Sequence, residues 1–221
     1  VSIERIHLRK LLKIMFLADG PRRSALRTDI REEIAKNAGD EGGGGDFYGP
    51  FWADARSHVF GAEDLHAAVL TRIQANGRRR NLYPRLRDGF LRWWTERRRW
   101  TNTPFQPGQP LKSNFTFDEL GATVKIDSIL SVRDAQSVEH YVYPYFSPEP
   151  ILSEEAARLG LWLLIEALDT VPREEIRILD VFRGETFSID RHPLRGTEEQ
   201  DFIRRYGALL AEREALAEEY E

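Results

Sequence analysis

The 221-residue sequence predicts an α+β protein: a helical N-terminal region, then a ββαββα mixed sheet-and-helix core that closes on a C-terminal helix. Two shifts along the chain support this. Apolar residues recur at helical spacing through the first hundred positions, then alternate with period two in TVKIDSIL (123–130) and VEHYVYPYF (138–146). Charge shifts at nearly the same place. Residues 1–110 hold 20 basic and 13 acidic groups, whereas residues 111–221 hold 12 and 23. A net-basic helical region, 1–110, is therefore expected before a net-acidic α+β region, 111–221.

Residues 3–17 read as the first helix. Ile3, Ile6, Leu8, Leu11, Leu12, Met15 and Phe16 form its apolar side, and Asp19-Gly20-Pro21 is its expected stop. A second helix is expected over 23–37, with Leu26, Ile30 and Ile34 in one stripe. The stretch 39–46 contains four consecutive glycines and is expected as a flexible loop. No Gly-Lys-Ser/Thr follows it, so it lacks the mark of a P-loop. From Phe47 the chain turns aromatic, then helical over 62–74 and 86–100. Leu86, Phe90, Trp93 and Trp94 share one side of the latter. Three prolines make 101–115 a linker.

Beyond the linker, 123–130 and 138–146 are expected to pair as a hairpin through 133–137, with Pro144 suggesting an edge strand or a strand end. Ser153 caps the next helix, and Glu154 and Glu155 suit its first turn. The body of that helix, AARLGLWLLIEAL, is apolar nearly all round, which requires burial against a sheet. The tyrosines of YVYPY are expected to pave one side of that sheet. A second hairpin, 176–182 with 186–190, turns at Arg183-Gly184-Glu185, and 197–221 reads as a long amphipathic helix.

No run approaches the roughly 18 apolar residues of a membrane span. The opening residues carry charges through their apolar stretch, unlike a signal peptide. The chain has no cysteine. Disulfides, thiolate metal sites and a cysteine nucleophile are thereby excluded, and a cytoplasmic location is expected. His7, His58, His66, His140 and His192 are scattered, with no HExxH pattern, and no Gly-x-Ser-x-Gly elbow is present.

The densest local signal is NGRRRNLYPRLRDGFLRWWTERRRW at 76–100, with nine arginines against two acids and three tryptophans. Arg78, Arg79, Arg80, Arg85, Arg92, Arg97, Arg98 and Arg99 are the residue type that binds DNA or RNA phosphates through counterion release and bidentate contacts. Trp100 and the neighbouring rings are the type on which unpaired bases stack. The same residues suit a protein partner or a second copy of the chain, since Arg and Trp dominate interface hot spots. They also suit a solvated helix face over a buried Leu86, Phe90, Trp93 and Trp94. No helix-turn-helix, RRM or zinc-finger pattern accompanies them.

Residues 123–190 resemble the core of the PD-(D/E)xK nuclease superfamily, which includes RecB-like nucleases. Three pieces carry the resemblance. Asp127 in VKIDSIL falls where the family has a metal-binding aspartate. SEEAARLGLWLLIEAL falls where RecB-like proteins have a Gln-x-x-x-Tyr helix. ILDVFRGE resembles the strand that follows. The resemblance implies carboxylates holding one or two divalent ions, such as magnesium, for phosphodiester cleavage. The second strand departs from the pattern. In VEHYVYPYF, Glu139 is followed two residues later by Tyr141, not lysine, and the helix has neither the Gln nor the Tyr. Lys125, two residues before Asp127, shares its side of a strand and is a candidate replacement. The expectation is a nucleic-acid-associated accessory protein with a non-catalytic nuclease-like core and no cofactor. The alternatives are a magnesium-dependent nuclease using Asp127, Glu139 and Lys125, and a protein-interaction subunit of a larger assembly.

Overall fold

Ile3 and Ile6 are both fully buried, yet the chain opens as a strand, β1 (Arg5–His7), and enters α1 (Leu8–Phe16) only afterwards. The expected helix over 3–17 is corrected at its start for a long-range reason. β1 pairs in parallel with β4 (Ala122–Ile126), Ile6 opposite Val124, more than a hundred residues away. Asp19-Gly20-Pro21 does not stop a helix but starts one, α2 (Asp19–Asn37). Proline is tolerated there because a first-turn N–H has no intrahelical partner to lose. The break falls instead at Leu17 and Ala18, both extended. This computed structural model describes residues 2–39 and 46–220, so most of the expected loop at 39–46 lies outside the described residues.

Three further helices follow: α3 (Tyr48–Val59), α4 (Leu65–Ala75) and α5 (Tyr83–Arg92). Asp64 caps α4 by accepting from the Ala67 N–H at 2.9 Å. α5 begins three residues earlier than expected, with Pro84 in its first turn, and continues as one wide π turn over Trp93–Arg97. The expected linker at 101–115 holds β2 (Gln106–Pro107) and the first part of β3 (Ser113–Phe117).

The expected strand over 123–130 is two strands in two sheets. β4 ends at Ile126, and β5 (Leu130–Arg133) begins after a corner at Ser128, whose φ of 62° lies in the left-handed region. A serine there is uncommon. The Trp52 indole N–H donates to its carbonyl at 2.6 Å and holds the corner. The remaining elements are β6 (Glu139–Tyr145), α6 (Glu154–Ala167), β7 (Ile176–Asp180), β8 (Glu185–Phe187) and α7 (Glu198–Ala217).

The strands form a three-stranded sheet, β1-β4-β3, and a five-stranded sheet, β2-β5-β6-β7-β8. The expected hairpin of 123–130 with 138–146 is corrected, since β6 pairs antiparallel with β5 rather than with β4. β7 and β8 form the second expected hairpin, and α6 carries the chain between the parallel pair β6 and β7. β6 is therefore central, so of the two positions suggested by Pro144 the edge is corrected and the strand end holds, one residue before β6 ends. The Tyr145 carbonyl accepts from Val181 on the β7 side. With backbone groups alternating, the Pro144 nitrogen faces the other side, where β5 has already ended at Leu130 opposite Val142. No ladder bond is lost.

The five-stranded sheet has a core on each face, and period two assigns residues to them. Tyr141, Tyr143 and Tyr145 join one core with Ile176 and Ile178, against α1, α2, α6, α7 and the smaller sheet. Val142, Leu130, Val132 and Leu179 join the other, against α3, α4 and α5. Residues from before and after position 110 contribute to both cores. α6 is buried from Ala156 to Leu164, as its all-round apolar pattern requires, with Ser153 as cap. α5 approaches the β7–β8 turn closely. A Cβ on Gly89 would stand 2.1 Å from the Val181 carbonyl oxygen. Among the described residues no helix is long and apolar enough to cross a membrane.

Candidate functional site

The arginine-rich segment divides by environment. Arg78 and Arg80 are exposed in a short 3-10 turn that the Asn76 side chain caps, and Arg85 and Arg92 are exposed on α5. Arg85 and Arg92 are seven residues apart, two helical turns, so they share one stripe. The ion pairs of the segment are Arg87–Asp88 at 2.7 Å, Arg97–Glu185 at 3.7 Å and Arg99–Asp190 at 3.1 Å. Arg78, Arg80, Arg85 and Arg92 make none among the described residues. Arg85 does lie 5.1 Å from the Phe182 ring centroid, a contact that orients it without neutralising it. Arg79 is half-buried over Tyr83 at 5.3 Å and donates to the Arg72 carbonyl at 3.3 Å.

The second triplet is engaged by the rest of the chain, although Arg97 and Arg99 remain exposed and only Arg98 is half-buried. Arg97 donates to the carbonyls of Arg183 and Gly184 at 3.1 and 3.3 Å. Arg98 lies 3.8 Å from the Trp94 ring centroid and 4.4 Å from that of Phe105. Burial lowers its proton affinity, and its Nε and Nη1 have no hydrogen-bond partner among the described residues. Trp100 is 7% exposed and stacks on His140, centroids 4.3 Å apart and planes within 9°. Its ring faces the protein interior. His140 itself lies between Glu175 at 2.6 Å and Asp134 at 3.5 Å, so the end of the segment is locked onto the β5–β6 hairpin.

Asp127 follows β4 at the sheet corner. Arg9 donates to its Oδ1 at 2.9 Å, and the Ser128 hydroxyl donates to the same oxygen at 3.0 Å. His7 Nδ1 lies 3.0 Å from the other oxygen. These partners, His7 first and then Arg9, hold the carboxyl far below the usual carboxylate range against the opposing effect of burial. The Arg9 backbone N–H donates to the Tyr143 hydroxyl at 3.0 Å, and burial pushes that phenol up to about 12. Glu139 has separate partners: Arg133 Nε at 3.0 Å, the Tyr141 hydroxyl at 2.7 Å and the Gln109 N–H at 3.5 Å. The Tyr141 and Arg133 bonds lower its pKa.

The two carboxylates stand at opposite ends of β5. Glu139 faces Arg133, while Asp127 precedes Leu130 by three residues. The strand between them spans about 10 Å by its rise per residue alone. Lys125 belongs to the smaller sheet, opposite His7 and Asn114. The structure thus gives Asp127, Glu139 and Lys125 no common partner. Among the described residues no group of three or more His, Asp or Glu side chains is placed to hold a metal ion.

A basic pocket beside Asp127 was not read from the sequence. It is lined by His7 of β1, by Arg9, Lys10 and Lys13 along α1, and by Tyr48, Phe146 and Ser147. Its signal was present in HLRKLLK, where basic residues interleave the apolar stripe, but without the fold those cations look like a solvated helix face.

Comparison of the chain with family models, with curated proteins and with solved structures found no match. Its functional class rests on the geometry above.

Proposed function

We propose that this chain is a nucleic-acid-associated accessory protein with a nuclease-like core that does not cleave. The observation that carries the reading is the set of exposed arginines, Arg78, Arg80, Arg85 and Arg92, on α5 and the turn before it, with no acid of the described chain paired to them. Unpaired guanidinium groups on a helix-borne surface bind phosphates with a marked salt dependence. The absence of cleavage is supported by the engagement of both carboxylates. Asp127 is met by Arg9 and His7, and Glu139 by Arg133 and Tyr141. The Arg9 guanidinium and the His7 ring thus stand against both oxygens of Asp127, where a divalent ion would bind.

Fluorescence anisotropy with labelled single- and double-stranded DNA and RNA tests the reading, run alongside cleavage assays with magnesium or manganese. The expected result is salt-sensitive binding with no cleavage product. Absence of binding at low salt overturns the nucleic-acid reading. Metal-dependent cleavage that Asp127→Ala abolishes overturns the non-catalytic one.

A further inference from the structure

The junction of β1 and α1 concentrates positive charge where a helix ordinarily collects acids. The first turn of α1 contains Arg9 and Lys10 and no acid, and His7 stands at its N-cap without making a side-chain cap. Cations at the positive end of a helix dipole are disfavoured unless an anion faces them. Two carboxylates do. Asp127 serves Arg9 and His7, and Asp29 lies 3.3 Å from Lys10. Asp29 is already shared, however, since its Oδ2 accepts the Ile3 N–H at 3.0 Å and lies 3.5 Å from Arg213. Lys13, one turn beyond Arg9 and on the same face, has no ion-pair partner among the described residues. The site is left with surplus positive charge.

These cations line a cavity of about 320 Å³, at the small end of the range for ligand pockets. The rest of its lining is Tyr48, Phe146 and Ser147. Tyr48 and Phe146 stack at 5.1 Å with their planes 16° apart. The pocket therefore places charge-assisted donors beside two aromatic side chains.

We infer that this pocket binds a small phosphate monoester carrying a flat apolar group, the chemistry of a mononucleotide, with the phosphate held by Arg9, Lys10 and Lys13 and the remainder against Tyr48 and Phe146. A carboxylate would satisfy fewer of the donors, and a neutral ring would leave the charge unanswered. The site is independent of the arginines on α5, and neither reading needs the other.

Isothermal titration of the full chain at constant ionic strength, with adenosine monophosphate, inorganic phosphate and adenosine, tests the inference. Saturable binding of the monophosphate is expected, weaker binding of inorganic phosphate, and none of adenosine. Lys13→Glu should weaken the monophosphate by about tenfold or more, the loss of one charge-assisted contact plus repulsion. Tyr48→Leu should weaken the monophosphate and leave inorganic phosphate unchanged, which a merely misfolded variant does not do. Arg85→Ala with Arg92→Ala should leave both affinities alone. Adenosine binding as tightly as the monophosphate overturns the inference. So does absence of saturable binding, or a folded Lys13→Glu chain that binds like the parent.

Discussion

Two Arg-Arg-Arg triplets flank α5, and the fold gives them different surroundings. In the first, Arg78 and Arg80 stay in solvent and only Arg79 folds back, over Tyr83. In the second, Arg97 reaches the carbonyls of the β7–β8 turn, Arg98 is caged by Trp94 and Phe105, and Arg99 pairs with Asp190. The difference lies in what arrives from elsewhere in the chain. The second triplet ends on Trp100, which is drawn into the core beside His140, and the acidic β8 hairpin lies alongside. Charge density along a sequence is therefore a poor measure of field at a surface. A cation contributes to that field only where tertiary structure supplies no partner.

The largest expected effect tests the anchoring of the second triplet. Trp100→Ala removes a buried ring that contacts His140, Trp93 and Phe105. It should cost about 3–5 kcal/mol in chemical denaturation. If stability is unchanged while oligonucleotide affinity falls, Trp100 is a surface stacking residue and the comparison fails. Gly89→Ala should cost about 3 kcal/mol, because the new Cβ would meet the Val181 carbonyl and push α5 off the β7–β8 turn. Retained stability in that variant would mean that α5 does not sit so close.

A narrower contrast comes from single arginines. Arg98→Ala should lose about 2 kcal/mol, since its guanidinium and stem fill an aromatic cage. Arg80→Ala should stay within about 0.5 kcal/mol of the parent. Equal losses would erase the distinction between the triplets.

Much of the scaffold was legible in the sequence. α7 declared itself by apolar spacing, α6 by an apolar run on all sides, Ser153 by its cap chemistry, and the β7–β8 hairpin by its turn residues. What escaped depended on distant partners. β1 is three residues long and exists because β4 lies beside it. The corner at Ser128 interrupts an alternation that local sequence continues through Ile129 and Leu130, and it is held by Trp52 from α3. For the site, the sequence supplied the arginines but not their sorting. Asp190 and the Gly184 carbonyl, which take up Arg99 and Arg97, are more than eighty residues away. Asp127 was visible as a carboxylate within the strand expected over 123–130, while its partners His7 and Arg9 were hidden in the helix expected over 3–17.

The smallest expected effect concerns that carboxylate. The native pKa of Asp127 is depressed, so its contribution to stability is present above the unfolded carboxylate value of about 4 and fades as pH falls below it. Asp127→Asn should therefore destabilise the chain at about pH 7 and do so less at about pH 3, read from urea midpoints. The side chain is partly exposed, which keeps the effect modest. A gap that widens on acidification would contradict the pairing with His7 and Arg9.

The salt dependence of oligonucleotide binding bears most directly on the central claim. On single strands, replacing Arg78, Arg80, Arg85 and Arg92 together by alanine should flatten the slope of log affinity against log salt by about 3. Replacing Arg97 and Arg99 should leave it unchanged. Equal flattening by both sets, or by the second alone, would show that the partnered triplet meets the phosphates and that the division between free and partnered arginines is wrong.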